Sequence, residues 1–238
     1  MTLIVALACK NGVVMGSDGQ ATTGSAGGPI RLPTTKIKVI GEDKLWGAAG
    51  MVGLIQKVAA AFASIPPELA VASLDNPQLA VNIIQQAHKV RGEELQRHRS
   101  LYGANCDDQA GVCDILMVEH KDKPRILHIG VDCSTENLDE FGYGCSGNGD
   151  VFAHAFLSLF PTATQCDVDK GALLVYRTIK RAIGVGAFGL GEPIDIWTVT
   201  SEGAKQMTPA QMSAIRDALA VWEEVESKMF DRLQMKAD

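Results

Sequence analysis

The chain opens on an unbroken apolar run, Thr2-Leu-Ile-Val-Ala-Leu-Ala-Cys9, with a second apolar stretch at 13–17. A short continuous run of this kind reads as a strand buried on both faces. Asn11-Gly12 between the two reads as the turn of a tight hairpin, since both residues tolerate the positive φ of a type I′ turn. The sheet therefore begins with the first residues, although chain ends generally fray. The segment 22–33 is rich in Gly, Ser and Thr and reads as a loop. Two short strands follow at 36–40 and 44–49, the first alternating lysine outward with apolar residues inward. Gly50 opens a helical pattern that runs to about 64, and Pro66-Pro67 breaks it. A long helix is predicted over 76–101, with Leu79, Val81, Ile83, Ile84 and His88 on its apolar side.

The second half repeats the rhythm. Segments 113–118 and 125–131 form another hairpin across the charged turn 120–123, and helices are expected at 151–159 and 167–183. A last strand at 194–200 precedes a helix that starts near Thr208, where a threonine suits the N-cap and Pro209 the first turn. Strand runs alternating with paired helices imply an α+β fold: a four-layer αββα sandwich with two mostly antiparallel sheets between helices. No repeat or linker divides 1–238, which reads as one domain with a helical extension at about 208–236. In that extension Met212, Ile215, Leu219, Trp222, Val225, Met229 and Leu233 recur at helical spacing and make one apolar stripe. Such a stripe packs on its own domain or meets a neighbouring subunit.

Composition narrows the function. Aromatic residues are 5% of the 238, so Val, Ile, Leu, Ala and Met must build the core. A net charge of −6 with no Lys/Arg cluster argues against a nucleic-acid or anionic-membrane surface. The six cysteines are scattered, without CxxC or metal-type spacing, and read as buried apolar residues of a reducing compartment. No basic segment precedes the first apolar run, as a secretory signal would require. No stretch reaches the roughly 20 apolar residues of a membrane span. The expectation is a soluble cytoplasmic protein with no cofactor and no metal.

HExxH, GxSxG and P-loop motifs are all missing, and the five histidines are isolated. What remains is the start. Once Met1 is removed, Thr2 carries a hydroxyl and an α-amine on one residue, and an amine with a reference pKa of about 7.7–8.0 is partly neutral near pH 7. Such an amine can take the hydroxyl proton, the activation scheme of N-terminal threonine nucleophiles. The hairpin returns Asp18 to the end of the sheet where Thr2 lies. Lys36, if partly buried, would disfavour protonation of a nearby amine by charge repulsion, and Asp18 would hold it in place. Ala49-Gly50-Met-Val-Gly53 turns from strand to helix, and a backbone N–H there suits a developing oxyanion. Taken singly, these are an ordinary second residue, an Asp-Gly turn, an edge lysine and a helix-start glycine. Their joint order carries more.

That order resembles the proteasome β-type family, which includes the HslV-type subunits. Thr2-Leu-Ile-Val, Asn11-Gly12, Asp18-Gly-Gln20 with Thr22, Lys36, Ala49-Gly50-x-x-Gly53 and Gly144-Cys-Ser146-Gly147 follow the family order, with its intervals from Thr2 to Asp18 and from Lys36 to Gly50. The resemblance implies Thr2 as nucleophile, Asp18 and Lys36 as the charged pair that tunes it, Gly50 as oxyanion donor and Ser146 as the hydroxyl that orients the amine. Thr22 would bond an extended peptide backbone, and Ala21, Ala48 and Val52 would shape an apolar, roomy first specificity pocket. The family implies a self-compartmentalised threonine endopeptidase that acts on peptides or unfolded proteins in homo-oligomeric stacked rings. An unfolding ATPase would be a further partner, though no sequence feature identifies one. Leu54 stands where the family often has Asp. A further Asp and Ser that the family places near the last strand have no clear counterpart in 184–194, where Glu192 is the one acid. A non-catalytic ring subunit and a small-molecule amidase are the alternatives from other classes.

Overall fold

The computed structural model describes residues 2–25, 28–103, 113–132, 134–186 and 189–232; the side chains of 22–31 and of Tyr102 lie outside that description. Its strands are β1 (Ile4–Cys9), β2 (Gly12–Asp18), β3 (Gln20–Ser25), β4 (Gly28–Pro33), β5 (Ile37–Ile40), β6 (Lys44–Gly50), β7 (Cys113–His120), β8 (Pro124–Ile129), β9 (Thr135–Asn137), β10 (Tyr143–Ser146), β11 (Ile194–Thr200) and β12 (Gly203–Gln206). Its helices are α1 (Val52–Ala63), α2 (Pro67–Ala70), α3 (Pro77–Tyr102), α4 (Asp150–Leu157), α5 (Val168–Gly184) and α6 (Pro209–Arg232). Two five-stranded sheets, β10-β1-β2-β11-β12 and β5-β6-β7-β8-β9, face each other, and β3-β4 forms a separate two-stranded hairpin. Every strand pair is antiparallel.

The continuous apolar run at the start is explained by what lies on each side of it. Leu3, Val5, Leu7 and Cys9 point toward α4, α5 and α6, while Ile4, Ala6 and Ala8 point into the layer between the sheets. With both faces covered, alternation with polar residues would place polar groups in a core. The other sheet is covered by α1 and α3, against which Trp46, Ile115, Met117 and Ile129 pack. The order is helices, sheet, sheet, helices, the αββα arrangement expected from the element rhythm.

Local signals fix the helix ends. Asn76 accepts from the Gln78 and Leu79 amides ahead of Pro77, and Asp167 caps α5 through the Lys170 amide. Thr208 and Gln211 form a reciprocal capping box at α6. That helix is fastened to α5 by Arg177, whose guanidinium lies 4.0 Å from the Trp222 ring centroid and pairs with Glu226. A desolvated stack of this kind is worth about 2 kcal/mol.

Several expectations need correction. The first hairpin turns at Lys10-Asn11, because Cys9 pairs with Gly12. Gly12 is a strand residue whose missing Cβ leaves room for the Val199 carbonyl oxygen, 2.4 Å from where that atom would sit. The segment 22–33 is not a loop: most of it is the β3-β4 hairpin, whose composition hides its pairing. On α3 the buried side runs through Leu79, Ile83, Ala87, Val90 and Glu94, while Val81 and His88 are exposed. Strands β9, β10 and β12 are too short to leave a periodic pattern. The α6 stripe divides: Ile215 and Leu219 are buried, Val225 and Met229 are exposed, and Leu233 lies outside the described residues. Cys106 and Cys133 also lie outside them; Cys9, Cys145 and Cys166 are free thiols. No helix among the described residues is long and apolar enough to cross a membrane.

Candidate active site

Pairing of Ile4 with Ser17 across β1 and β2 brings Asp18 beside Leu3, and two bonds close the pair. The Leu3 amide donates to Asp18 Oδ1 at 2.9 Å, and the Asp18 amide donates to the Leu3 carbonyl at 3.2 Å. The Asp18 carboxylate has no solvent exposure. A bare ion in that position would be strongly disfavoured. It is satisfied by Lys36 Nζ at 2.5 Å on Oδ1 and by the Gln20 and Gly191 amides, each at 3.3 Å, on Oδ2.

Lys36 is buried, contrary to the outward placement expected from the alternation of its strand. It lies one residue ahead of β5, where the strand's register does not bind it. Burial pushes its pKa below the ordinary lysine value and the Asp18 carboxylate pulls it back up, burial being the larger effect.

Thr2, Ala21, Lys36, Ala48, Gly50 and Val52 line one cleft of about 190 Å3. That is below the 300–1,000 Å3 typical of a whole-ligand pocket, and suits a single side chain. Gly50 ends β6 with φ +139°, a region glycine alone enters freely, and α1 begins two residues later. The walls contributed by Ala21, Ala48, Val52 and Ile55 are apolar. Lys38 and Gln56 add polar groups that the sequence reading omitted. Their signal was available in retrospect: Lys38 lies two residues past Lys36, and Gln56 one helical turn past Val52.

Ser146 comes from β10, where it pairs with Ile4 of β1 and is fully buried. The next residue, Gly147, has φ +99°, and a Cβ there would lie 2.2 Å from the Thr2 carbonyl oxygen. The turn after β10 is thus packed directly on the Thr2 backbone. Of the expected site residues, Asp18 is paired with Lys36 of the cleft, and Ser146 precedes the glycine that packs on the Thr2 carbonyl. Thr22 is on β3, and its side chain lies outside the described set. Glu192 turns to its own neighbourhood, accepting from the Ile194 amide at 2.9 Å.

Solved structures share this αββα arrangement. A Gly-1 mutant of Anbu from Hyphomicrobium sp. strain MC1 superposes with TM-score 0.74 at 13% identity, covering 100% of both chains. Anbu (ancestral beta-subunit) from Yersinia bercovieri gives 0.74 at 14% identity over 99% of each chain. The chain has the Anbu fold. A second Hyphomicrobium Anbu structure agrees, at TM-score 0.70 and 14% identity, over 99% of this chain and 100% of the other. No protein-family profile and no curated protein matches the sequence. At these identities the likeness is one of fold. The likeness supports the αββα fold read from the sequence and does not single out the HslV type.

Proposed function

We infer that the protein is a threonine endopeptidase subunit that cleaves peptide bonds through Thr2 once Met1 has been removed. The observation that carries this reading is the buried Asp18–Lys36 pair, with the Leu3 amide tied to the same carboxylate oxygen that holds the ammonium. A positive charge fixed beside the cleft disfavours protonation of the Thr2 amine and keeps it available as a base. The amine takes the Thr2 hydroxyl proton as the oxygen attacks the substrate carbonyl. The Gly50 N–H receives the oxyanion. On collapse, the C–N bond breaks and the proton passes to the leaving amine. Water, deprotonated by the same amine, then hydrolyses the acyl-enzyme ester.

An extended peptide is the substrate that suits the surroundings. Among the described residues β3 pairs only with β4, so its other edge can accept an added strand leading past Ala21 into the cleft. Assembly into homo-oligomeric stacked rings follows from the same resemblance. Val225, Met229 and Phe230 on the outer end of α6 offer an apolar face for a neighbouring copy. The test is Thr2→Ala against wild type with its Thr2 amine free, on fluorogenic peptides and on simple acyl amides, with intact mass after a threonine-directed electrophile. Peptide turnover and a single adduct on Thr2, both lost in Thr2→Ala, are expected. Activity retained by Thr2→Ala overturns the assignment.

A further inference from the structure

Asp114 and His128 have no part in the chemistry above, yet they reach it. On β7 and β8, Leu116, Val118 and Ile126 point into the layer between the sheets. Asp114 and His128 lie on that same face by strand alternation, at the end nearest Ser146. From the opposite sheet, Ser146 Oγ meets Asp114 Oδ2 at 2.7 Å and lies 3.4 Å from the Asp114 carbonyl oxygen. The other carboxylate oxygen of Asp114 is 2.5 Å from His128 Nε2. On the far side, His128 Nδ1 is 3.6 Å from Glu136 of β9. A hydroxyl, a carboxylate and an imidazole are thereby chained across the two sheets.

The chain has a direction. An ionised carboxylate only accepts, so the Ser146 hydroxyl must give Asp114 its single proton. Its oxygen then has nothing but lone pairs to offer any other partner. That oxygen belongs to the residue paired with Ile4, and the following turn rests on the Thr2 carbonyl. The hydrogen bond from His128 holds Asp114 from its outer side, and the same bond raises the imidazole pKa, with Glu136 adding to the effect. Resting on the Thr2 reading, we propose that Asp114, clamped by His128, is a positioning residue: it orients the Ser146 proton so that the Ser146 oxygen accepts from the Thr2 amine and aims the amine lone pair at the Thr2 hydroxyl. The pair acts only through Ser146.

A purely structural tie between the sheets would also join these residues, so the test must read coupling. Asp114→Asn keeps the shape, and with its one remaining oxygen accepting from His128, its NH2 faces Ser146 and donates where the carboxylate accepted. Wild type, D114N, S146A and the D114N/S146A double variant are compared, each with a free Thr2 amine. The readouts are kcat and KM on a fluorogenic peptide, the rate of covalent capture at Thr2, and the melting temperature. D114N is expected to lower kcat and the capture rate about tenfold, less than the roughly 10²–10⁴-fold of a lost general base because the Thr2 amine itself remains, with KM within about twofold. The double variant should match S146A, because Asp114 has nothing left to orient. If D114N fails to fold, H128F serves instead. It removes the clamp at a partly exposed position and should lower kcat about threefold, again only while Ser146 is present. Wild-type kcat in D114N, or losses that multiply in the double variant, would overturn the relay while leaving the Thr2 assignment intact. A wild type with neither turnover nor capture would overturn both.

Discussion

Gly147 gives the most exposed test of how closely Thr2 must be held. In Gly147→Ala the new Cβ would lie 2.2 Å from the Thr2 carbonyl oxygen and 3.0 Å from the Ala49 Cβ. Relaxed carbon–oxygen contacts sit at about 3.3 Å, so the Thr2 backbone has to retreat by about 1 Å. A displacement of that size at reacting groups costs on the order of 10²-fold in rate. The φ of +99° adds a backbone penalty of about 1–3 kcal/mol for a residue with a side chain. The walls formed by Ala21, Ala48 and Val52 are not what the methyl displaces, so binding should survive. Steady-state kinetics on a fluorogenic peptide, paired with urea unfolding, are expected to show kcat down about 100-fold, KM within about threefold, and a stability loss inside the backbone range. A variant that keeps kcat within about threefold of wild type would show that Thr2 tolerates the shift, and the positional argument would fail.

The Asp18–Lys36 pair can be tested by breaking it and by removing it. Lys36→Met leaves a buried carboxylate unpaired and should cost about 3–5 kcal/mol in chemical unfolding, whereas Asp18→Asn with Lys36→Met should recover part of the loss. No recovery would mean the pair is not coupled as its geometry indicates. Both variants should lose activity, since neither keeps the charge beside the amine. The pH–rate profile of wild type should rise as the Thr2 amine loses its proton and then level off. The plateau should persist while Lys36 loses its own proton, because the amine is neutral there without a neighbouring charge. Lys36→Met should move the rising limb to higher pH. A limb left in place would contradict the role given to the Lys36 charge. At the cleft, Lys38 should favour an acidic side chain over a basic one in the substrate. Lys38→Glu should reverse that preference by about tenfold, an effect that shrinks as salt screens the exposed charge. Insensitivity of the preference to both changes would remove Lys38 from the pocket.

Much of the fold was legible because its strands are covered on both faces. The run ahead of Cys9 announces itself by continuous apolar character, the segment 194–200 by its β-branched and aromatic residues, and Asn76, Asp167 and Thr208 mark helix starts by side-chain chemistry. What escaped the sequence was held by pairing alone. Strand β10 is four residues long and contains Gly144, and only its register against β1 makes it a strand. Because β10 delivers Ser146, its partner Asp114 escaped as well. Their meeting is set by the spacing of two sheets, which no local pattern encodes. An aspartate inside Cys-Asp-Ile-Leu-Met-Val was a usable signal, since an acid in an apolar strand needs a partner. Lys36 is paired with Asp18 as its site role requires, and the outward alternation of its strand does not govern it because it lies just outside the strand.

The carboxylate of Asp18 gathers the Leu3 amide, the Gln20 amide, the Lys36 ammonium and the Gly191 amide. The last of these comes from 173 positions away in sequence. Contacts of such separation form late, after the intervening chain has organised. A half-made or partly unfolded copy would carry the threonine without the electrostatic setting that arms it. For a peptide-cutting enzyme, that linkage would keep immature molecules harmless to their surroundings and to one another.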